Sequence, residues 1–407
     1  MIPQLAWKNV WRNKVRSFII LFAITLGLVA GVFALAFMNG MIDQKVEDTI
    51  NIELTLLQIN TQKFIDEGEI EYGFAVSDLE THIRAIPEVK GLSPRMVLTA
   101  MVASPHKTGG IQVVAIDPEN EKQVSQLYQY IPDSLGNYFV GNIKNSAIVG
   151  QKFAEKYRVN LNSKIVLSLM NMDGEQVSAA FRICGIFHTN NPVFDEMKLF
   201  IRTDDARTLT GISEDYMHEL AVQLVTNDDH TVAKVQNQIA ARLPKGVVVR
   251  NWKDINALMG LYTGFVKIEL MVVVAVILFA LGFGIVNTVL MSVLERRSEL
   301  YMLMAIGMNR TRVMQMIIAE STILTMLGGF LGMLIALAIV WITRKTGIDV
   351  SATFGSFQQL GITTIIHPVI TVSQFIVIAI MVVITGILSA IMPARMAVKL
   401  YKHNDRT

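Results

Sequence analysis

Residues 270–312 read LMVVVAVILFALGFGIVNTVLMSVLERRSELYMLMAIGMNRTR. The hydrocarbon core of a bilayer is about 30 Å thick, so a helix rising about 1.5 Å per residue needs about 20 apolar residues to cross it. Residues 270–294 exceed that length without one charge, and Glu295, Arg296 and Arg297 end the run abruptly. Buried helices of soluble proteins are rarely so long and uniform, so this stretch reads as a membrane span followed by a charged link.

Three further runs share that character, at 18–38, 313–342 and 372–394, and only Glu320 interrupts their interiors. The expected fold class is therefore a helical membrane protein with four transmembrane helices in a one-plus-three arrangement, at 18–40, 266–294, 313–342 and 372–394. The first run follows Lys8, Arg12, Lys14 and Arg16, as a secretory signal would. It continues about twice as far as a signal core and ends at Met38-Asn39-Gly40, which favours a retained helix.

Short cytoplasmic segments carry the lysine and arginine excess. The segments 1–17, 295–312 and 395–407 carry it here, through Lys8 to Arg16, through Arg296, Arg297, Arg310 and Arg312, and through Arg395, Lys399, Lys402 and Arg406. They are placed inside, with both termini. Residues 41–265 and 343–371 fall outside, the latter holding only Arg344 and Lys345 beside a helix end. Gly27 with Gly31, and Gly328 with Gly332, have the small-x-x-x-small spacing that lets helix backbones approach, toward sibling helices or a second permease subunit.

With 36 basic and 34 acidic residues the net charge is only +2, so no basic excess exists to neutralise nucleic-acid phosphates. Cys184 is the only cysteine; it has no partner for a disulfide within the chain and reads as a small buried hydrophobe. The seven histidines show no His-x-x-x-His pair, so no metal site is expected. No Gly-Lys dipeptide occurs, hence no Walker A loop to cradle a nucleotide, and neither catalytic residues nor a bound cofactor are expected.

Residues 41–265 have ordinary globular composition and are long enough to bury a core, which makes them a domain with a mixed α+β pattern. Strands are expected at 53–61, 111–116, 165–170, 177–187 and 220–225, the middle pair joined by the turn Asn171-Met172-Asp173-Gly174. Helices are expected at 76–86, with Ser77 as cap and Glu80 completing a capping box, and at 231–243. The pairs Asp204-Asp205 and Asp228-Asp229 read as helix caps rather than acid and base, and Asp117-Pro118 reads as a turn opening a helix.

In the link 295–312, Leu300, Leu303, Met304 and Gly307 recur at helical spacing, so a short amphipathic helix lies across the membrane base and Gly307 can end it in the left-handed conformation. Arg296, Arg297, Glu299 and Arg310 form its charged face. One reading is an interfacial loop whose arginines fix topology; the other is a docking surface, with Leu303 or Met304 as an apolar knob ringed by charge. Residues 4–17 interleave Leu5, Trp7, Val10, Trp11 and Val15 with basic residues, as an interfacial anchor helix does. Glu320 lies about two turns inside the third span, where a carboxylate is paired or faces a cavity, and Arg312 is within reach of that depth.

The one-plus-three spans around a domain of about 220 residues resemble the FtsX-like and MacB-like permeases of ABC transporters (type VII), a group that includes the lipoprotein-releasing LolC/LolE branch. Glu295, Arg296, Glu299, Leu303, Ala305, Gly307 and Arg310 match the family's E-R-x-x-E-x-x-x-L-x-A-x-G-x-x-x-R coupling segment. The opening residues Leu5 to Ser17 are similar to its entry helix, and Pro393-Ala394-Arg395 with Ala397 to the end of its last span; Met38-Asn39-Gly40 and Gly185-Ile186-Phe187 resemble the lipoprotein-releasing branch. After Ala397 the family's leucine, aspartate and proline ending is replaced by Lys399-Leu400-Tyr401-Lys402.

The resemblance implies a permease of a bacterial inner membrane. A cytoplasmic ABC ATPase dimer, which would bind the ATP and Mg, docks on 295–312, and its closure drives mechanotransmission to the outer domain for lipoprotein release or export of an amphipathic substrate. Implied partners are a second permease copy or sibling permease, membrane lipid, and a lipoprotein or periplasmic carrier. The alternatives are a MacB-like efflux permease, an FtsX-like non-transporting regulator, whose outer domain is typically much smaller, and a receptor, which would need a cytoplasmic output module larger than the segment after 395.

Overall fold

The computed structural model describes residues 2–12, 14–139, 141, 143–350 and 365–404. The chain divides into two compact units, Met1–Ile42 with Gly264–Asp349 and Ile365–Thr407, and Asp43–Thr263 with Val350–Thr364.

The first unit is helical. An entry helix α1 (Ile2–Arg12) precedes α2 (Lys14–Asp48); α3 (Ala257–Glu295) leads through a break at Arg296 to the short α4 (Arg297–Ala305), then α5 (Arg310–Thr346) and α6 (Val372–Asn404). Four of these, α2, α3, α5 and α6, contain helices long and apolar enough to cross a membrane. Along α2 the residues Ile20, Ile24, Leu28, Val32 and Leu35 turn inward at helical spacing, while Phe18, Phe22 and Leu26 face out. Outward apolar residues are what a lipid-facing helix surface requires, because lipid and leucine are equally apolar. Of the expected loop 343–371, the residues 351–364 lie outside those described; Ile348–Asp349 pair with Ile365–Ile366 as a two-stranded ribbon.

Close helix contact is made through glycine. A Cβ on Gly27 would meet the Leu281 side chain of α3 at 2.7 Å, and one on Gly31 the Ile277 side chain at 3.5 Å. Gly328 and Gly332 of α5 pack on α2, where a Cβ would meet Ile24 at 3.0 Å and Leu28 at 3.1 Å. Both pairs thus face helices of this same chain.

The second unit is built on a nine-stranded mixed sheet. Its strands are β1 (Leu57–Thr61), β2 (Val89–Ala103), β3 (Thr108–Ile116), β4 (Ser146–Gly150), β5 (Lys164–Met170), β6 (Gln176–Phe187), β7 (Lys198–Arg202), β8 (Glu219–Leu224) and β9 (Val247–Asn251). They run in the order β9-β1-β8-β2-β3-β7-β4-β6-β5, and β5 pairs again with β2, so six of them close on themselves. The pairs β3–β7 and β4–β6 are parallel and the others antiparallel. Alternation places Leu57, Ile59, Met96, Leu98, Val113, Ala115, Leu199 and Ile201 on one face, buried with the helices Ser77–Arg84 and Asp229–Ala240.

Local readings fare unevenly. The hairpin β5–β6 forms around Asn171, whose side-chain oxygen accepts from the amides of Asp173 and Glu175, with Gly174 at φ +77°. Asp117 and Asp228 cap the helices Pro118–Val124 and Asp229–Ala240. Residues expected to open a strand at 53 instead lie in a π-helical turn, Thr49–Leu54, and pairing begins at Leu57. Ser77 is not a cap: the carboxylate of Asp215, distant in sequence, accepts from the Val76 and Ser77 amides, while Glu80 pairs with Arg84 four residues on. Asp204 and Asp205 sit inside the first turn of Thr203–Thr210, and Asp205 accepts from the Asn145 amide instead of capping. Cys184 is half-buried, its thiol donating to the Ala147 carbonyl at 3.4 Å, with burial raising its pKa.

Candidate functional site at the link between the second and third spans

The link folds as a helix with defined stops at both ends. At Arg296 the backbone leaves helical geometry, with φ −100° and ψ 18°, which separates α3 from α4. At its other end Gly307 adopts φ +106°, a conformation that disfavours any Cβ. The Gly307 amide donates to Met304 O at 3.1 Å and the Met308 amide to Leu303 O at 3.0 Å, the paired bonds of a Schellman stop. Asn309 then caps α5, its side chain accepting from the Thr311 amide at 3.2 Å.

The apolar face of α4 is directed into the helical unit. Leu300 and Met304 are buried with Val10 of α1, Ile20 and Ile24 of α2, Val293 of α3 and Met316 of α5. Met304 therefore does not project as a knob, and Leu303 is half-buried. The apolar side chains that α4 and its end present outward are Met302, 59% exposed, and Ile306, 79% exposed; Ala305 and Gly307 lie on that exposed side too. The exposure of Ile306, one residue before the glycine stop, is a consequence of the helix ending there.

The charged residues form a chain across three helices. Arg12 of α1 donates from Nη2 to both oxygens of Glu299 at 2.7 Å. Arg296 donates from Nε to Glu299 at 3.4 Å and from Nη1 to the two oxygens of Glu320 at 3.1 and 3.2 Å. Two donors on one carboxylate hold Glu299 below its ordinary range, chiefly through the hydrogen bond from Arg12. Water reaches Arg12 and Glu299, which are 53% and 43% exposed, but much less of Arg296 and Glu320, at 14% and 17%.

A cavity of about 330 Å³ opens beside this chain of charges, lined by Asn9, Arg12, Ser17, Glu295, Glu320 and Ser321 among others. Arg297 turns away from it: its Nε donates to the Tyr301 hydroxyl at 2.6 Å and its guanidinium lies 5.1 Å from that ring's centre. Arg310 opens α5 on the exposed side. Of the residues singled out in the sequence, Arg296, Glu299 and Glu320 thus come together. Among the described residues Arg296, and not Arg312, pairs with Glu320, because the break at 296 turns that side chain onto α5. Arg12 was not foreseen as a member; its basic, amphipathic helix carried the signal, but the pairing is set by how α1 packs on α5.

Four apolar helices joined to an α+β domain, with a charged helix between the second and third spans, define a multi-pass membrane protein of permease type. The MacB-like periplasmic core domain family matches residues 17–242, more than half of the 407-residue chain, and the FtsX-like permease C-terminal family matches 271–402. The chain belongs to the MacB-like, FtsX-like family of ABC transporter permeases.

Among curated relatives, the lipoprotein-releasing system transmembrane protein LolC of Buchnera aphidicola is 22% identical over 56% of this chain and 57% of its own length. LolE of Haemophilus influenzae is 20% identical over 67% of this chain and 66% of its own, and the macrolide export ATP-binding/permease protein MacB of Rhodopirellula baltica 28% identical over 37% and 25%. The chain thus spans between a quarter and two thirds of the length of these relatives. Of solved structures, the periplasmic region of MacB from Actinobacillus actinomycetemcomitans covers 53% of this chain with a TM-score of 0.37 at 12% identity. The extracellular domain of the noncanonic ABC-type transporter YknZ covers 48% with a TM-score of 0.35 at 13% identity.

Proposed function

We propose that this chain is the permease subunit of an ABC system in the bacterial inner membrane, with both termini cytoplasmic. A separate ATPase dimer, which holds the ATP and Mg, docks on residues 295–312, and its motion passes to the extracytoplasmic domain by mechanotransmission. The chain itself carries no enzymatic step. The single observation that carries this reading is the run Arg12–Glu299–Arg296–Glu320, which ties the short link helix to the entry helix and to the third span. A helix tied in this way cannot shift without displacing α1 and α5, so a push on Met302 or Ile306 is passed on as helix motion rather than absorbed locally.

For the cargo, the relatives named above support lipoprotein release or export of an amphipathic substrate, with a second copy or a sibling permease completing the membrane complex and a lipoprotein or periplasmic carrier as the outer partner. Arg296→Glu with Arg297→Glu, or Leu303→Asp, in membranes that also contain the ATPase, will uncouple ATP hydrolysis from transport while leaving membrane insertion intact. Transport and stimulated ATPase activity at wild-type levels in these variants would refute the assignment.

A further inference from the structure

The second face of the extracytoplasmic sheet carries a smaller apolar cluster that includes Ile52, Val114, Ile116 and Phe200, and beside it a group of polar and charged side chains. Alternation along six adjacent strands puts Arg250 of β9, Asn60 of β1, Glu219 of β8, Arg95 of β2, Gln112 of β3 and Lys198 of β7 on that face, around a cavity of about 370 Å³. The charges lining it are Arg95, Lys198 and Arg250 against Glu53 and Glu219, with Glu121 directly behind as a third carboxylate. Arg95 is satisfied: it donates to Glu219 at 2.8 Å and to Glu121, behind the lining, at 2.6 and 3.0 Å. Glu53 accepts from the Asn191 amide group at 2.7 Å.

The other two cations are not neutralised in this way. Among the described residues no carboxylate lies within ion-pair distance of Lys198; its ammonium sits 5.2 Å from the centre of the Phe194 ring. Arg250 spends one nitrogen on Asn60 at 3.3 Å, and its buried Nε has no acceptor among the described residues. Burial lowers the pKa of both groups, which is the mark of cations held away from water without full compensation. A lysine and an arginine that line one recess without an ion-pair partner among the described residues are a recurring means of gripping an anionic group.

We propose that this recess is a binding site for a ligand bearing one phosphate or carboxylate group, held by Lys198 and Arg250 with Gln112 as a neutral donor; Asn60, whose amide donates to the His218 carbonyl, orients Arg250 through its side-chain oxygen. Glu219, anchored by Arg95, fixes the recess from its floor and disfavours a second anionic group. The group could be carried by a free solute or by a phospholipid, and the experiment separates the two.

The full chain in detergent is titrated by calorimetry with inorganic phosphate, with acetate, and with the water-soluble dihexanoyl phosphatidic acid at constant ionic strength. Saturable binding of at least one probe is expected, weakened roughly tenfold or more by Lys198→Met and by Arg250→Gln, as loss of a charge-assisted hydrogen bond implies. Binding of the lipid alone assigns a lipid source; binding of phosphate or acetate assigns the group itself. No saturable binding of any probe, or binding that both variants leave unchanged, overturns the proposal. Circular dichroism spectra matching the wild type keep a folding defect from being read as lost binding, and Gln112→Ala supplies a milder variant of the same recess.

Discussion

Among the described residues each compact unit holds a cluster in which arginine meets two carboxylates, and the two clusters differ in how much water reaches them. In the extracytoplasmic domain Arg95 joins Glu121 and Glu219, and these side chains are 6%, 2% and 12% exposed. At the link between the second and third spans Arg296 joins Glu299 and Glu320, with Arg12 added at the rim, and exposure rises from 14% at Arg296 to 53% at Arg12. The chemistry is the same and the cost of breaking it is not. A buried charge left without its partner keeps its whole desolvation penalty, whereas an exposed one is rehydrated. The first cluster therefore fixes a fold, and the second, more hydrated toward its rim, costs less to break while it ties α4 to α1 and α5.

This contrast is tested first where the effect is largest. Glu121→Ala strips Arg95 of two hydrogen bonds and Ser93 of its acceptor at 2.7 Å, and it will destabilise the domain by about 3–5 kcal/mol. Hydrogen exchange of the amides in β2 and β8 reports this directly, and protection as in the wild type would break the contrast. An intermediate loss, about 1.5–3 kcal/mol, is expected for Glu320→Ala, which leaves the mostly buried Arg296, among the described residues, its long bond to Glu299. Pairing that change with Arg296→Met will cost less than the sum of the two single changes, since they share one interaction.

The smallest effect is at the rim. Arg12→Gln will cost only about 0.2–1 kcal/mol at neutral pH, because the pair it breaks is exposed. The Glu299 carboxyl is held below its ordinary value of 4.5, so its contribution is present above that value and fades as pH falls through and below it. Exchange protection of α4 in the wild type should accordingly approach that of Arg12→Gln between pH 6 and pH 3. A difference that is constant over that range would show that Arg12 acts on α4 by some route other than this ion pair.

The spans were legible because length and apolarity are properties of contiguous residues: the runs at 18–38, 270–294, 313–342 and 372–394 lie in the four long helices. The stop at Gly307 was legible for the same reason, since one residue's backbone freedom decides it. Partners distant in sequence were not. Asp215 replaces Ser77 as the cap of Ser77–Arg84, and Arg296 replaces Arg312 beside Glu320, because each pairing depends on how elements pack. The direction of α4 was also out of reach: Leu300 and Met304 share one face by spacing, but spacing alone does not say whether that face meets a partner or the chain's own helices. The polar recess on the second sheet face needed strand order, which no local pattern contains.

The central claim is that the link receives the push of an ATP-hydrolysing partner through the side chains that point outward from α4. A photo-crosslinking residue placed at Ile306, which is 79% exposed, in membranes prepared without detergent tests it most directly, with the same residue at the 9%-exposed Met304 as control. The account predicts a crosslink from position 306 to a subunit carrying a Walker A sequence, much weaker from 304. Crosslinks from 306 to lipid alone, or equal yields from both positions, would contradict it.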